Sequence, residues 1–298
     1  MGLAVQTVRF CACFGAAIVL IIPPANVSAQ GRDSGSQAND QPLTALVRDV
    51  IYNEIEAELH DESLWCNRKQ QQEDGKPEKT VEACQTKDGE LERLLAVNGR
   101  ALDSAQRQAE DEHLQTLTSH PEQLRAKQKK QREDGDQARK LFRLFPEAFL
   151  FQCENESGNR ITLQFRPNPA FRPTTRASQV FHHMEGTLVL DTRQKRLVEV
   201  NGRLTSEVRF GGGLLGHLDK NGTFVVKQSE IADGHWDLVF MSLHISGRAL
   251  FLKTIDVSQT QTLFDYKPLP RGATVQQAAE FLMKDFDLHT ADSVEQSR

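Results

Sequence analysis

The sequence predicts an α+β protein, one continuous domain in which a curved antiparallel sheet of about ten strands carries helices on one face. Three observations carry this. From Ser178 to Tyr266, short runs rich in Val, Leu, Phe and Thr alternate with Asp, Asn and Gly punctuation. That is the pattern of consecutive strands joined by tight turns, about six of them. Residues 64–100 (LWCNRKQQQ, KTVEACQT, ELERLLAVNGR) read as three more strands with turns near Gly75, Gly89 and Asn98-Gly99. Helical periodicity is confined to the segments before, between and after these strand sets.

Residues 1–29 read as an export signal. Arg9 supplies the n-region charge, Phe10–Ile22 the apolar stretch, Pro23-Pro24 the break and Val27-Ser28-Ala29 a small-x-small cleavage site. Thirteen apolar residues are too few to span about 30 Å of hydrocarbon, and no later segment is apolar enough to do so. The expected location is periplasmic or secreted after cleavage at Ala29. Residues 30–41 are a polar, Gly/Ser-bearing linker expected to be disordered. A formal charge of −5 argues against a general nucleic-acid binder.

Pro42–Leu59 should be an amphipathic helix, with Leu43, Leu46, Val47, Val50, Ile55 and Leu59 at helical spacing. It should lie across the concave face of the sheet, where it would gate any ligand site beneath it. Cys66 and Cys84 stand symmetrically about Gly75. A three-residue loop there would oppose them at disulfide distance, and a slip of one residue would part them. Cys153 alternates with Phe149 and Phe151 and should be a buried free thiol.

Residues 102–145 form a charged helical insertion. Ala105–Thr118 is a polar helix, and Ser119-His120-Pro121-Glu122 resembles a capping box that opens a second. The basic run Arg125–Arg132 is flanked by Glu122, Glu133, Asp134 and Asp136, so it reads as a solvated face. Leu141, Phe142, Leu144 and Phe145 should anchor the insertion. Phe149 onward makes a hairpin with the RITLQFR strand about Ser157-Gly158, and the proline-rich stretch after Arg166 is a connector. Thr274-Val275-Gln276-Gln277 caps a last short helix, and residues 288–298 are a frayed tail.

The order of amphipathic helix, three polar strands, helical segment and long meander, with MEGTLVLDTRQKRLVEVNGRL and GRALFLKTIDVSQTQTLFDY inside it, resembles the LolA-like and MucB/RseB-like periplasmic proteins. The resemblance covers most of residues 42–285. It implies a single open, incomplete antiparallel barrel over 42–287 with helices across the concave face. It also implies a groove that holds an acyl chain, a lipid or an acylated envelope protein. No functional residue transfers by motif.

No reaction can be read from the residues. His182-His183 point to opposite faces if they lie on a strand, and neither His-x-x-x-His nor Cys-x-x-Cys spacing follows the leader. Gly211–Gly216 lacks the Lys-Ser/Thr of a phosphate loop, and Gly-x-Ser-x-Gly is absent. The expectation is therefore a non-enzymatic binding protein without cofactor or metal, monomeric, in peripheral contact with the envelope. Phe151, Phe165, Phe181, Phe210, Phe224, Trp236, Phe240 and Phe251 are its candidate ligand-binding residues, with an ordinary core as the alternative. Two other readings stand beside it: a metal-dependent hydrolase using the strand histidines, and an envelope-stress sensor that binds a partner through the charged helices.

Overall fold

A computed structural model describes residues 41–213, 215–249 and 253–284. The predicted leader, linker residues 30–40, Phe251 and the tail lie outside the described residues. α1 (Gln41–His60) precedes β1 (Leu64–Glu73), β2 (Lys79–Thr86), β3 (Gly89–Val97) and the short β4 (Arg100–Ala101). α2 (Ser104–Ser119), α3 (Pro121–Phe142) and the single-turn α4 (Phe145–Ala148) follow, then β5 (Phe149–Ser157) and β6 (Arg160–Pro167). A 3-10 segment, Ala177–His183, leads into β7 (Met184–Asp191), β8 (Arg196–Leu204), β9 (Val208–Phe210) and β10 (Gly216–Leu218). β11 (Thr223–Ala232), β12 (His235–Ala249) and β13 (Lys253–Leu269) complete the sheet, and α5 covers residues 275–284.

The fold class is the expected one. The described residues form thirteen strands in one antiparallel sheet that does not close, with five helices. The strand order is β4-β3-β2-β1-β13-β12-β11-β8-β7-β6-β5, with β10 pairing β12 and β9. Two compact units divide the chain. Of the described residues, one takes those within 41–60 and 133–260, the other those within 61–132 and 261–284.

In the first unit α1 packs on β8 and β5 through Val47, Val50, Ile51 and Ile55. Leu59, expected on this stripe, lies in the last turn and is half exposed, while Ile51 and Glu54 are buried. Four phenylalanines fill the space beside α4. Ring centroids are 4.5 Å apart for Phe145–Phe149, 4.9 Å for Phe149–Phe165, 5.2 Å for Phe145–Phe165 and 5.3 Å for Phe149–Phe181. Burying each ring is worth roughly 1.5–3 kcal/mol, and each tilted pair about 0.5–1.5 kcal/mol more.

In the second unit Cys66 and Cys84 are register partners and are joined by a disulfide. Gly75 sits in the middle of the connecting loop at φ 69°, a left-handed conformation that favours glycine. The bridge belongs to a core of Leu91, Leu114, Leu124, Val275, Ala278, Ala279 and Leu282. Thr274 Oγ1 accepts from the Gln277 amide while Gln277 Oε1 accepts from the Thr274 amide, the reciprocal cap that fixes the start of α5. The capping box of the insertion is at Asp103 and Gln106, one helix earlier than the sequence suggested.

Two local expectations need correction. Cys153 is on the core side of β5 opposite Leu163, yet it is exposed. Burial along this strand ends at Phe151, and every residue from Gln152 to Ser157 is exposed, because β5 is the last strand and has a neighbour on one side only. His182 and His183 are in the 3-10 segment, not on a strand. The turn is set by the Thr175–Ser178 hydroxyl and amide bonds just before it.

Candidate functional site

The deepest structural idea in the first unit is a row of register partners that crosses five strands: Phe151, Phe165, Gly186, Gly202 and Phe224. The two glycines adjoin each other in the middle, and the aromatic rings on either side fold over them. A Cβ on Gly186 would lie 1.9 Å from the Asn201 carbonyl oxygen and 2.8 Å from the Phe165 ring. One on Gly202 would lie 2.3 Å from the Phe224 ring. Only glycine allows this close approach.

Side chains alternate along a strand, so the residues flanking that row point to the other face. They line a groove of about 520 Å³ across β5, β6, β7 and β8. Its first bank is Gln152, Gln164, Thr187 and Asn201, which are register partners from strand to strand. Its second bank holds Leu150 opposite Arg166 and Glu185 opposite Arg203. The Arg203 Nη2 donates to Glu185 Oε1 at 2.5 Å and its Nε at 3.0 Å, so this arginine is half-neutralised. Arg166 makes no ion pair among the described residues and is exposed. The groove therefore offers amide and hydroxyl groups in one line and a net positive charge in the next.

Of the aromatic residues singled out from sequence, Phe151 and Phe165 are part of the groove's lining, with their rings buried, and the other described ones lie away from it. Phe151 and Phe165 are paired and buried beneath the groove, and Phe181 joins them through the Phe145–Phe149 cluster. Phe224 covers Gly202, and Phe210 is buried on β9. Trp236 donates its indole N–H to Gln194 at 2.7 Å, with the Arg196 guanidinium 5.7 Å above the ring. Phe240 is half-buried on β12, and Phe251 lies outside the described residues. The residues that do line the groove were legible as the polar half of an alternating pattern. The successive β5–β6, β6–β7 and β7–β8 pairings bring them together.

Glu54 fastens the helix behind this site. It is 3% exposed, and its carboxylate accepts four hydrogen bonds. They come from Arg196 Nε at 2.8 Å and Nη2 at 2.9 Å, the Leu197 amide at 2.7 Å and Gln228 Nε2 at 2.8 Å. Asn53 and Asp49 add bonds to the β7–β8 turn at the Lys195 carbonyl (3.0 Å) and the Lys195 ammonium (2.7 Å). A carboxylate within an apolar stripe was visible in the sequence, but its partner lies 142 residues away.

The second unit buries a charged cluster. Lys69 is fully buried, and its Nζ donates to Glu90 Oε1 at 2.5 Å and Glu92 Oε1 at 2.9 Å. Burial pulls the Lys69 ammonium down, but the two carboxylates outweigh it and hold its pKa above the ordinary value. Burial pushes Glu90 up to about 7, against the attraction of Lys69. Glu92 is buried too, but Lys69, a hydrogen bond with Glu90 and the charge of Lys127 hold it below the ordinary carboxylate range. Of the two carboxylates, Glu90 is therefore the first to take a proton as pH falls.

Among the described residues the histidines do not gather. His183 Nδ1 is 2.7 Å from Ser206 Oγ, and burial and His182 together lower its pKa. His217 is beside Asp219, and His235 beside Asp237. Among the described residues no group of three or more His, Cys, Asp and Glu side chains could hold a metal. No helix there is long and apolar enough to cross a membrane. Compared with family models, curated proteins and solved structures, the chain matches none.

Proposed function

We propose that this chain is a non-catalytic binding protein of the cell envelope and that it holds its ligand in the groove across β5–β8. The observation that carries the reading is the lining: four amide or hydroxyl side chains in one cross-strand row, with Arg166 and Arg203 in the next. Such a surface recognises a polar chain that carries a carboxylate or phosphate, by amide hydrogen bonds along its length and a guanidinium at the anion. A lipid headgroup or an envelope protein segment has this chemistry. The export signal read from the sequence, and the resemblance to periplasmic open-sheet proteins, support an encounter outside the cytoplasm.

An acyl chain is a poorer fit. Phe151, Phe165 and Phe181 are packed against Phe145 and Phe149, next to the strand on which α1 rests, and α1 is held by Glu54.

Native mass spectrometry of protein purified from its own envelope tests the reading. The expected result is a co-purifying anionic polar ligand that is lost when Arg166→Glu and Arg203→Glu are combined, with the fold intact by circular dichroism. Retention of the ligand by that double variant would move the site elsewhere. A bare protein that takes up no anionic lipid headgroup or acidic peptide would end the proposal.

A further inference from the structure

The two ends of the sheet are finished differently. At one end the two-residue β4 pairs only Ala96 and Val97 of β3, and on the same side Glu110 of α2 accepts from the Leu94 amide, so a helix stands at that edge. At the other end β5 runs for nine residues. Along such a terminal strand alternate N–H and C=O groups face away from the sheet, ready to pair with another strand. Natural edges are blunted by Lys, Pro, shortness or a bulge. Phe149–Ser157 has neither Lys nor Pro, and a single register shift between Cys153 and Asn155 is its one irregularity. From Gln152 to Ser157 both faces are exposed as well as the edge.

Charge then selects the partner. Glu154 and Glu156 stand on this exposed stretch, the strand bears no basic residue, and neither carboxylate makes an ion pair among the described residues. Antiparallel pairing of β5 with a second copy would bring four carboxylates to one junction on chains of formal charge −5 each. Like charges at a junction oppose association, whereas cations opposite Glu154 and Glu156 favour it.

We infer that the free edge of β5 is a docking strand for an extended segment of another protein with Lys or Arg at alternate positions. The segment adds as a further antiparallel strand: main-chain hydrogen bonds give the affinity, and the pairing of its cations with Glu154 and Glu156 gives the register. This edge adjoins the cross-strand groove and shares Leu150, Phe151 and Gln152 with it, while Glu154 and Glu156 lie outside the groove.

The test uses the full chain and a capped nine-residue peptide that alternates lysine with valine and threonine. A second peptide of the same charge carries proline at the three central uncharged positions. The first peptide should bind saturably, slow amide hydrogen exchange over residues 150–157 and leave exchange elsewhere unchanged. The proline peptide should bind at least tenfold more weakly. Glu154→Lys with Glu156→Lys should weaken the first peptide at least tenfold while leaving the thermal transition in place. Glu156→Pro, which removes one edge amide, should weaken it too; if that variant unfolds, the charge reversal and the exchange pattern still decide. Equal binding of the proline peptide, or protection that maps elsewhere, would overturn the inference. So would protection of residues 150–157 in concentrated protein without peptide, because the occupant would then be a second copy.

Discussion

Removing Glu54 should unfasten the first unit. Glu54→Ala deletes one carboxylate and leaves the Arg196 guanidinium, the Leu197 amide and the Gln228 amide without their acceptor in a buried place. Breaking a buried pair on one side costs about 3–5 kcal/mol, because the remaining charge stays uncompensated. The cavity left by the side chain adds to this. Arg196→Met alone should cost a similar amount. Combining it with Glu54→Met should cost less than the sum, because neither charge then remains buried alone. The protein has two tryptophans, and Trp236 lies in the first unit and Trp65 in the second. Urea titration followed by Trp236 fluorescence in a Trp65→Phe background therefore reads the first unit. A Glu54→Ala penalty below about 1 kcal/mol, or strict additivity of the pair, would show that the network does not hold α1.

Three further outcomes follow from the same geometry. Gly186→Ala should destabilise the first unit by roughly 1–3 kcal/mol or more, since its Cβ meets a backbone oxygen that cannot turn away. Gly202→Ala should cost less, since it meets a ring that can shift; a reversed order in urea midpoints would contradict the packed row. Replacing both Cys66 and Cys84 with Ala should lower the stability of the second unit by ~3 kcal/mol, from the closed loop of 18 residues, as read by Trp65 fluorescence in a Trp236→Phe background. The pH dependence of that unit follows from Glu90. Its folded pKa of about 7 lies above the ordinary 4.5, so its contribution is fully present below pH 4.5 and is lost as pH rises through 7. The loss is ~3 kcal/mol at 1.36 kcal/mol per unit. Glu92, held low, and Lys69, held high, change outside this window. Glu90→Gln should flatten the slope between pH 4.5 and 7; an unchanged slope would place the proton elsewhere.

The sheet was legible because turns and alternation are local. Asn98-Gly99, with both residues at positive φ, closes a two-residue hairpin between Val97 and Arg100 as its dipeptide predicts. The Cys66–Cys84 pairing followed from symmetry about Gly75, once the register was known. The groove was not legible, because no residue in it is unusual by itself. Gln152, Gln164, Thr187 and Asn201 look like the ordinary wet side of a sheet until Gly186 and Gly202 fall side by side. Aromatic residues drew attention in the sequence, yet most of the described ones are packing material. Glu54 and Lys69 were missed for a common reason: a charge is buried only where distant chain supplies its partner, and periodicity carries no information about that partner.

The division of the chain into two units sets the order in which the molecule can be completed. The chain enters the first unit with α1, leaves it at residue 60, returns at 133 and leaves again at 260. A ribosome or a translocation channel delivers residues from the N-terminus onward, so α1 emerges long before Arg196, the residue that secures it. The second unit waits longer still, because the Leu282 carbonyl that receives Arg93 lies 189 residues downstream. The hairpins from Leu64 to Ala101, with their disulfide, contain their own partners, as do the β5–β8 strands and the β11–β12 hairpin. Contacts over such separations form slowly, since loop closure must precede their reward. The nascent chain must therefore keep the apolar stripe of α1 from wrong partners until two-thirds of its length has appeared. A protein so threaded can form its hairpins as it is made but completes neither unit until nearly all of the chain is free.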